Sequence, residues 1–354
     1  MTGIHILAYR NLVKTIGLEG GDGIIDDTMQ QLAYLNEDFY QYFRTDVRKA
    51  LARASDRSDL EFKSEGEYTF FHDVWGIGWR MPKDGGFYYD MFSNPLKGAE
   101  SIEDLKQYKW PDPLAGVDFT GVREKVLSVI QAGYMPVLGG FCPGVTTMHA
   151  WLRGFEKFYM DFVLNPDIAE WIMDKVNEIK STYWERLLAE VNDLTCIVIE
   201  SDDLGGQKRT LYSPDTYRKF VKPRHSKLME FIKSKSSAKI FLHSCGAIRD
   251  VLGDLIEAGV DIINPVQISA YGMDPFELKR DFGKDVVFWG GGVDTQKILG
   301  SGSPDEVRDN VKRSIDAFAP GGGFVFAAVH NIQANVPPEN IMAMVETFQK
   351  NCSY

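Results

Sequence analysis

Cysteine is scarce in this chain. The four residues Cys142, Cys196, Cys245 and Cys352 are spread through 354 positions, too few and too scattered for a disulfide framework. Reduced thiols and a cytoplasmic setting are therefore expected. Positive charge is also short, with 39 basic against 50 acidic side chains and a net charge of -11. No basic stripe is available to neutralise phosphates or an anionic bilayer, so neither nucleic acid nor a membrane surface is expected as a partner. No apolar run reaches the length of a membrane span. The start, Met1-Thr2-Gly3-Ile4-His5, lacks the charged and apolar regions of a secretion signal. The glycine triplets Gly290-Gly291-Gly292 and Gly321-Gly322-Gly323 fit neither a P-loop nor a dinucleotide fingerprint, because no lysine or ribose-binding acid stands at the right place. Tight turns are the expectation there. Short-period repeats and low-complexity segments are absent as well.

What is present is an ordinary globular composition, 44% hydrophobic and 25% charged. The length suffices for one large α/β barrel. From Met135 onward, strand and helix patterns alternate. Apolar strands are expected over 135–139, 195–200, 239–243, 261–266, 286–289 and 323–329. Helices are expected over 146–162, 166–191, 214–234, 247–258, 275–282, 304–317 and 338–349. Continuous apolar strands suit a parallel sheet covered on both faces. The region before Met135 reads differently. It predicts a helix over 27–54, aromatic extended segments over 67–79 and 86–92, a short helix over 101–108, a Trp110-Pro111-Asp112-Pro113 connector and a helix over 120–132. The predicted architecture is a (β/α)8 TIM barrel with an N-terminal α+β extension. It forms one domain, 1–354, with 1–134 included and the regular units in 135–354; a doubly wound sheet is the runner-up.

In a barrel, the residues that follow each strand converge on one mouth. Here they include Phe141-Cys142-Pro143, Glu200-Ser201-Asp202-Asp203, His243-Ser244-Cys245, Gln267-Ile268-Ser269, Gly292-Val293-Asp294 and His330-Asn331. His243 and Cys245 lie two apart at a strand end, so both side chains point the same way. Imidazole and thiolate together suit a borderline-soft ion such as zinc. His330 is the choice for a third ligand, with Cys142 as rival. Glu200 is expected to fill a fourth position or to hold a ligand histidine. Glu200 and Asp202 are the expected catalytic carboxylates, although helix capping explains Asp202 and Asp203 equally well. The aromatic set Phe70, Phe71, Trp75, Trp79, Phe87, Tyr88, Tyr89 and Phe92 either lines an apolar pocket or packs a core.

Several segments together carry a family likeness. They are Arg153-Gly154-Phe155-Glu156 with Met160-Asp161, Asp202-Asp203-Leu204-Gly205, Ser213-Pro214 with Phe220-Val221-Lys222-Pro223, and His243-Ser244-Cys245-Gly246. Gly322-Gly323-Phe324-Val325-Phe326 then leads to His330 and Pro337-Pro338-Glu339-Asn340. On these the chain resembles the uroporphyrinogen decarboxylase superfamily over nearly its whole length, and a (β/α)8 barrel is what the resemblance implies. The superfamily includes cofactor-free tetrapyrrole decarboxylases and zinc-dependent methyltransferases that serve corrinoid proteins. The arginine-rich opening of the decarboxylases is missing, with only Arg10 in its place, and so is their catalytic-aspartate segment. His243-Ser244-Cys245-Gly246 is similar to the His-x-Cys half of the methyltransferase zinc motif. Those methyltransferases usually place a cysteine where this chain has His330, nine residues before Glu339. Histidine for thiolate makes a harder Lewis acid, better suited to an ether oxygen.

The resemblance therefore implies a zinc methyltransferase of the O-demethylase type, with zinc on His243, Cys245 and His330. The methyl group of a small methylated substrate, first an aryl methyl ether, would pass to the cobalt of a corrinoid (cobalamin) protein. A homo-oligomer is compatible with this reading. A metal-free decarboxylase using Arg44, Arg48 or Arg153 is the alternative, and a non-catalytic corrinoid- or zinc-binding accessory protein is a second.

Overall fold

The computed structural model describes residues 3–18, 23–51 and 60–352. Seven strands form one parallel sheet, β1 (Val47–Leu51), β2 (Met135–Gly139), β3 (Ile197–Ser201), β4 (Lys239–His243), β5 (Ile262–Asn264), β6 (Val287–Trp289) and β7 (Phe324–Val325). They hydrogen-bond side by side in sequence order. The sheet curls around an interior of Val137, Ile197, Phe241, Ile262 and Trp289, contributed by alternate residues of successive strands. Helices α1 (Val145–Arg153), α2 (Phe155–Leu164), α3 (Pro166–Val191), α4 (Lys222–Lys235), α5 (Arg249–Glu257), α6 (Pro275–Phe282), α7 (Pro304–Phe318) and α8 (Pro338–Asn351) follow the strands. The strands are buried on both faces, which is why they read as continuous apolar runs. The α/β barrel-type fold expected from the sequence is thus present, built on seven strands among the described residues rather than eight.

Three expectations need correction. The helix predicted over 27–54 is instead the strands Ile25–Asp27 and Leu32–Ala33, a short helix Glu37–Tyr42, and β1; residues 52–54 lie outside the described residues. Arg44 takes a left-handed backbone, φ 51°, which no α-helix continues through. Pairing with Met135–Leu138 of β2 then draws Val47–Leu51 into the sheet. The helix predicted over 146–162 is two helices, α1 and α2. Gly154 breaks it at φ 80°. Strand β7 ends at Val325, so His330 sits in a bend beyond it.

An antiparallel sheet of Lys63–Glu65, Tyr68–His72, Gly78–Pro82 and Asp90–Ser93 supplies a further wall. This sheet and its turns divide the aromatic residues between core and surface. Phe71, Trp75, Trp79 and Tyr89 are buried, whereas Phe87 and Phe92 are exposed. The N-terminal segment completes the rim. Ile4 bridges Ile332, and His5 bridges Leu32. No helix among the described residues is long and apolar enough to cross a membrane.

The loop after β4 is locked by close backbone approach. Gly246 has φ 85°, and a Cβ there would lie 2.3 Å from the Gly205 backbone. Gly246→Ala is expected to destabilise the protein by about 2–3 kcal/mol. Urea denaturation should show a lower midpoint with an unchanged slope.

Candidate metal centre and its cavity

Parallel register fixes the first part of the site. His243 lies opposite Ser201 on β3 and opposite Asn264 on β5. Residues in one register row point to the same face, here the cavity side. His243 Nδ1 lies 2.6 Å from Asn264 Oδ1. Asn264 Nδ2 donates to the Trp289 carbonyl at 2.8 Å. The amide is thereby oriented, since its NH2 is spent on Trp289 and its oxygen must accept from His243. Asn264 selects the tautomer with the proton on Nδ1, and Nε2 keeps its lone pair.

Cys245 follows from the turn after β4. Its backbone N–H donates to Asp203 Oδ1 at 3.0 Å, and the N–H of Gly246 donates to Gln267 Oε1. Those bonds hold Sγ 3.3 Å from His243 Nε2. Burial, reinforced by the Asp203 charge, pushes the Cys245 thiol up. The protonated thiol donates toward Nε2, and an ion taking both ligands must displace that proton.

His330 reaches the same place by a different route. Asn331 Oδ1 accepts from the Gly3 N–H, and Asn331 Nδ2 donates to Gln30 Oε1. The Ile332 N–H donates to the Gly3 carbonyl and the Val329 N–H to the Val293 carbonyl. The N-terminal segment therefore pins the His330 loop from outside the barrel. The His243 and His330 ring centroids are 5.5 Å apart. One ligand atom from each of His243, Cys245 and His330 lies within 4.8 Å of the others. Burial and the neighbouring His243 lower His330 to about 4, so its imidazole is neutral at physiological pH and offers a lone pair.

Two imidazoles and one thiol are a chemically suitable donor set for zinc. Zinc bond lengths of 2.0–2.3 Å place tetrahedral ligand atoms roughly 3.3–3.8 Å apart, so the His243–Cys245 separation already fits. Cys142 is not a member of this group. It is buried after β2, and burial raises its thiol to about 12.

The cavity beside these residues has a volume of about 670 Å³. Ser201, Asp203, Cys142, Pro143 and Asn331 line it with the two histidines, as the convergence of post-strand residues predicts; Gln267 and Asp294 do not. Glu200 and Asp202, expected at the chemistry, turn away from it. Strand alternation sends Ile199 and Ser201 inward and Glu200 into the sheet–helix layer. There Glu200 pairs with Lys180 at 2.7 Å, and both side chains are buried. Lys180 also donates to the carbonyls of Cys142 and Pro143. Asp202 accepts from the backbone and hydroxyl groups of Thr146 and Thr147 and pairs with His225 at 2.9 Å. It caps the start of α1 and ties it to the barrel.

Asn264 was not among the residues singled out in the sequence. Its signal was a polar residue closing the apolar strand Ile262–Asn264, in register with the histidine. None of the three candidate arginines faces the cavity. Arg44 is exposed on its turn. Arg48 is bound to Glu37 and stacked 3.7 Å over Tyr134. Arg153 is buried against Asp161 and the carbonyls of Leu96 and Ala99.

Asn264→Leu should weaken zinc binding by about 10- to 100-fold while leaving the fold intact, as read by competitive chelator titration. His330 makes a separate prediction. Its folded-state value of about 4 lies below its ordinary 6.5, so the unfolded chain binds the proton more readily. Its contribution to stability is complete above pH 6.5 and is lost as pH falls toward 4. Metal-free wild type should therefore lose stability over that window more steeply than His330→Gln, in parallel denaturation series.

The chain matches the family described as "Uroporphyrinogen decarboxylase (URO-D)" over residues 72–351. Uroporphyrinogen decarboxylase of Geobacter sulfurreducens is 25% identical over 268 residues, covering 72% of this chain and 71% of that protein. The same enzyme of Alkalilimnicola ehrlichii is 23% identical over 292 residues, covering 77% and 72%. Among solved structures, a methyltransferase from Methanosarcina mazei superimposes with a TM-score of 0.64 at 17% identity, covering 99% of this chain and 94% of that one. That superposition supports the barrel-type fold. The family match begins at the end of the strand before Asp73, runs to the last helix, and takes in His243, Cys245 and His330; the chain belongs to the uroporphyrinogen decarboxylase (URO-D) family.

Proposed function

We propose that this protein is a zinc-dependent methyltransferase that removes a methyl group from a small methylated substrate, first an aryl methyl ether, and delivers it to a corrinoid protein. The observation that carries this reading is the His243, Cys245 and His330 donor set with Asn264 behind it. In this reading His243, Cys245 and His330 hold the ion. Zinc would supply Lewis acidity toward the heteroatom that carries the methyl group.

The chain's own residues do the rest. Asn264 fixes the His243 ring and its tautomer. Asp203 fixes the Cys245 backbone. Trp75, Trp79 and Tyr89 line the cavity with aromatic side chains, and the volume of about 670 Å³ is ample for an aromatic ring. Lys180, Glu200 and Asp202 keep the loops after β2 and β3 in place and touch no substrate. The acceptor proposed is the reduced corrinoid of a partner protein at the open mouth.

Decarboxylation of a porphyrinogen-like acid is the second reading, favoured by the names of the curated relatives. It needs cations to hold substrate carboxylates. Among the described residues lining the cavity, Lys49 is the one lysine or arginine, and it is already paired with Asp26. Four aspartates line the same space. That charge balance supports the methyltransferase.

The purified protein should carry about one zinc per chain and demethylate a methoxylated aromatic in the presence of reduced cobalamin. His243→Ala should lose both the ion and the activity. A zinc-free protein that releases carbon dioxide from a porphyrinogen acid would favour the second reading instead.

A further inference from the structure

The cavity is more specific in charge than an uncharged aryl ether requires. Its lining includes Asp26, Asp27, Asp73 and Asp203 against Lys49, whose charge Asp26 already offsets. Asp73 is the most constrained of the four. It sits between the strands Tyr68–His72 and Gly78–Pro82. Its Oδ1 accepts from the N–H groups of Trp75 and Ile77 at 2.9 and 3.0 Å, and its Oδ2 accepts from Trp79 Nε1 at 2.9 Å. All three donors are neutral. Among the described residues no lysine, arginine or histidine forms an ion pair with this carboxylate. Burial raises its pKa despite the three hydrogen bonds. The neighbouring His72 is the one basic group that acts on it electrostatically, and a partly buried anion on a cavity wall that is hydrogen-bonded but outside any ion pair favours a cation in the space in front of it.

The neighbouring surface selects the kind of cation. Trp75, Trp79, Tyr88, Tyr89 and Trp151 line the cavity with Asp73. Aromatic faces attract a cation through the ring quadrupole. The three N–H groups already occupy three of the roughly four acceptor directions of Asp73. A primary ammonium ion would find one left for its three N–H donors. A quaternary ammonium has no N–H, needs no acceptor, and gains from charge and aromatic contact alone. The place also suits an extended molecule. Trp75, two residues on from Asp73, packs with its ring centroid 6.0 Å from that of Phe141, just past β2, and β2 is two strands from the His243 strand. Two strand spacings are roughly 10 Å, about the length of a substituted phenyl ring with a short arm.

We propose that the substrate carries a quaternary ammonium group at the end remote from His243, Cys245 and His330, and that Asp73 and the surrounding aromatic wall recognise it. This deepens the methyltransferase reading and rests on its assignment of the cavity as the substrate site.

The test is calorimetric binding to the zinc-loaded full chain, with no methyl acceptor present. Three probes share a 4-methoxyphenyl ring. One bears a trimethylammonioethyl arm, the second its uncharged 3,3-dimethylbutyl isostere, and the third a carboxyethyl arm. The cation should bind about tenfold more tightly than the isostere, and added salt should weaken the cation alone. In Asp73→Asn, which keeps the shape of the side chain, the preference should fall to within about twofold while the isostere binds as before. A role confined to holding the loop would weaken both probes alike. Equal binding of cation and isostere, tightest binding of the carboxylate, or no binding by any probe overturns the proposal. If Asp73→Asn does not fold, the salt series on wild type decides. Because no methyl transfer is read, an inactive enzyme that keeps the cation preference contradicts the methyltransferase reading and leaves this one standing. Methyl transfer from neutral ethers without a cation preference does the reverse.

Discussion

The hydrogen bond from His243 to Asn264 is the constraint on which the candidate centre depends. It ends at a backbone carbonyl, because Asn264 is itself anchored to Trp289. Strands β4, β5 and β6 thus share one polar chain at their C-terminal ends, and parallel register keeps it in place. Without that chain, Nε2 would have no reason to present a lone pair toward Cys245. With it, the two candidate ligands at the end of β4 are already arranged side by side. His330 then needs only to be held nearby, and the N-terminal segment does this through Gly3 and Ile332. The two halves of the donor set are supported by distant parts of the chain, Asn264 and Trp289 on one side and Gly3 on the other.

Charge is distributed around this centre with a clear division. Buried polar and charged side chains outside the cavity are tied to one another in pairs at several places. Lys180 with Glu200, Arg153 with Asp161, and Asp202 with His225 each join a helix to a strand, a neighbouring helix or a loop. Removing one member of such a pair leaves a buried charge and costs several kcal/mol. Inside the cavity the balance is acidic and aromatic. The first group maintains shape, and the second leaves the cavity suited to flat, cationic or neutral guests over polyanions.

Much of this was legible from residue order. Alternating apolar strands and helices after Met135 gave the parallel sheet, and β4 spans the same Lys239–His243 that the apolar pattern marked. The His-x-Cys spacing at a strand end brings the side chains of His243 and Cys245 together, since residues two apart share a face. The same rule, applied to Ile199-Glu200-Ser201, sends Glu200 outward. Asp202 was ambiguous because an acid before Thr146 and Thr147 in space has no marker in sequence. Strand β1 was missed because Arg48 and Lys49 resemble a helical surface until Arg44 is seen in its left-handed turn. Asn264 was hidden because its role is defined by a neighbour 21 positions away.

X-ray absorption at the zinc edge of the purified protein tests the central claim most directly. The account predicts one sulfur and two imidazole nitrogens in the first coordination shell, with a further light atom completing it. A shell of oxygen and nitrogen alone, or a protein that retains no zinc when supplied with it, would contradict the account.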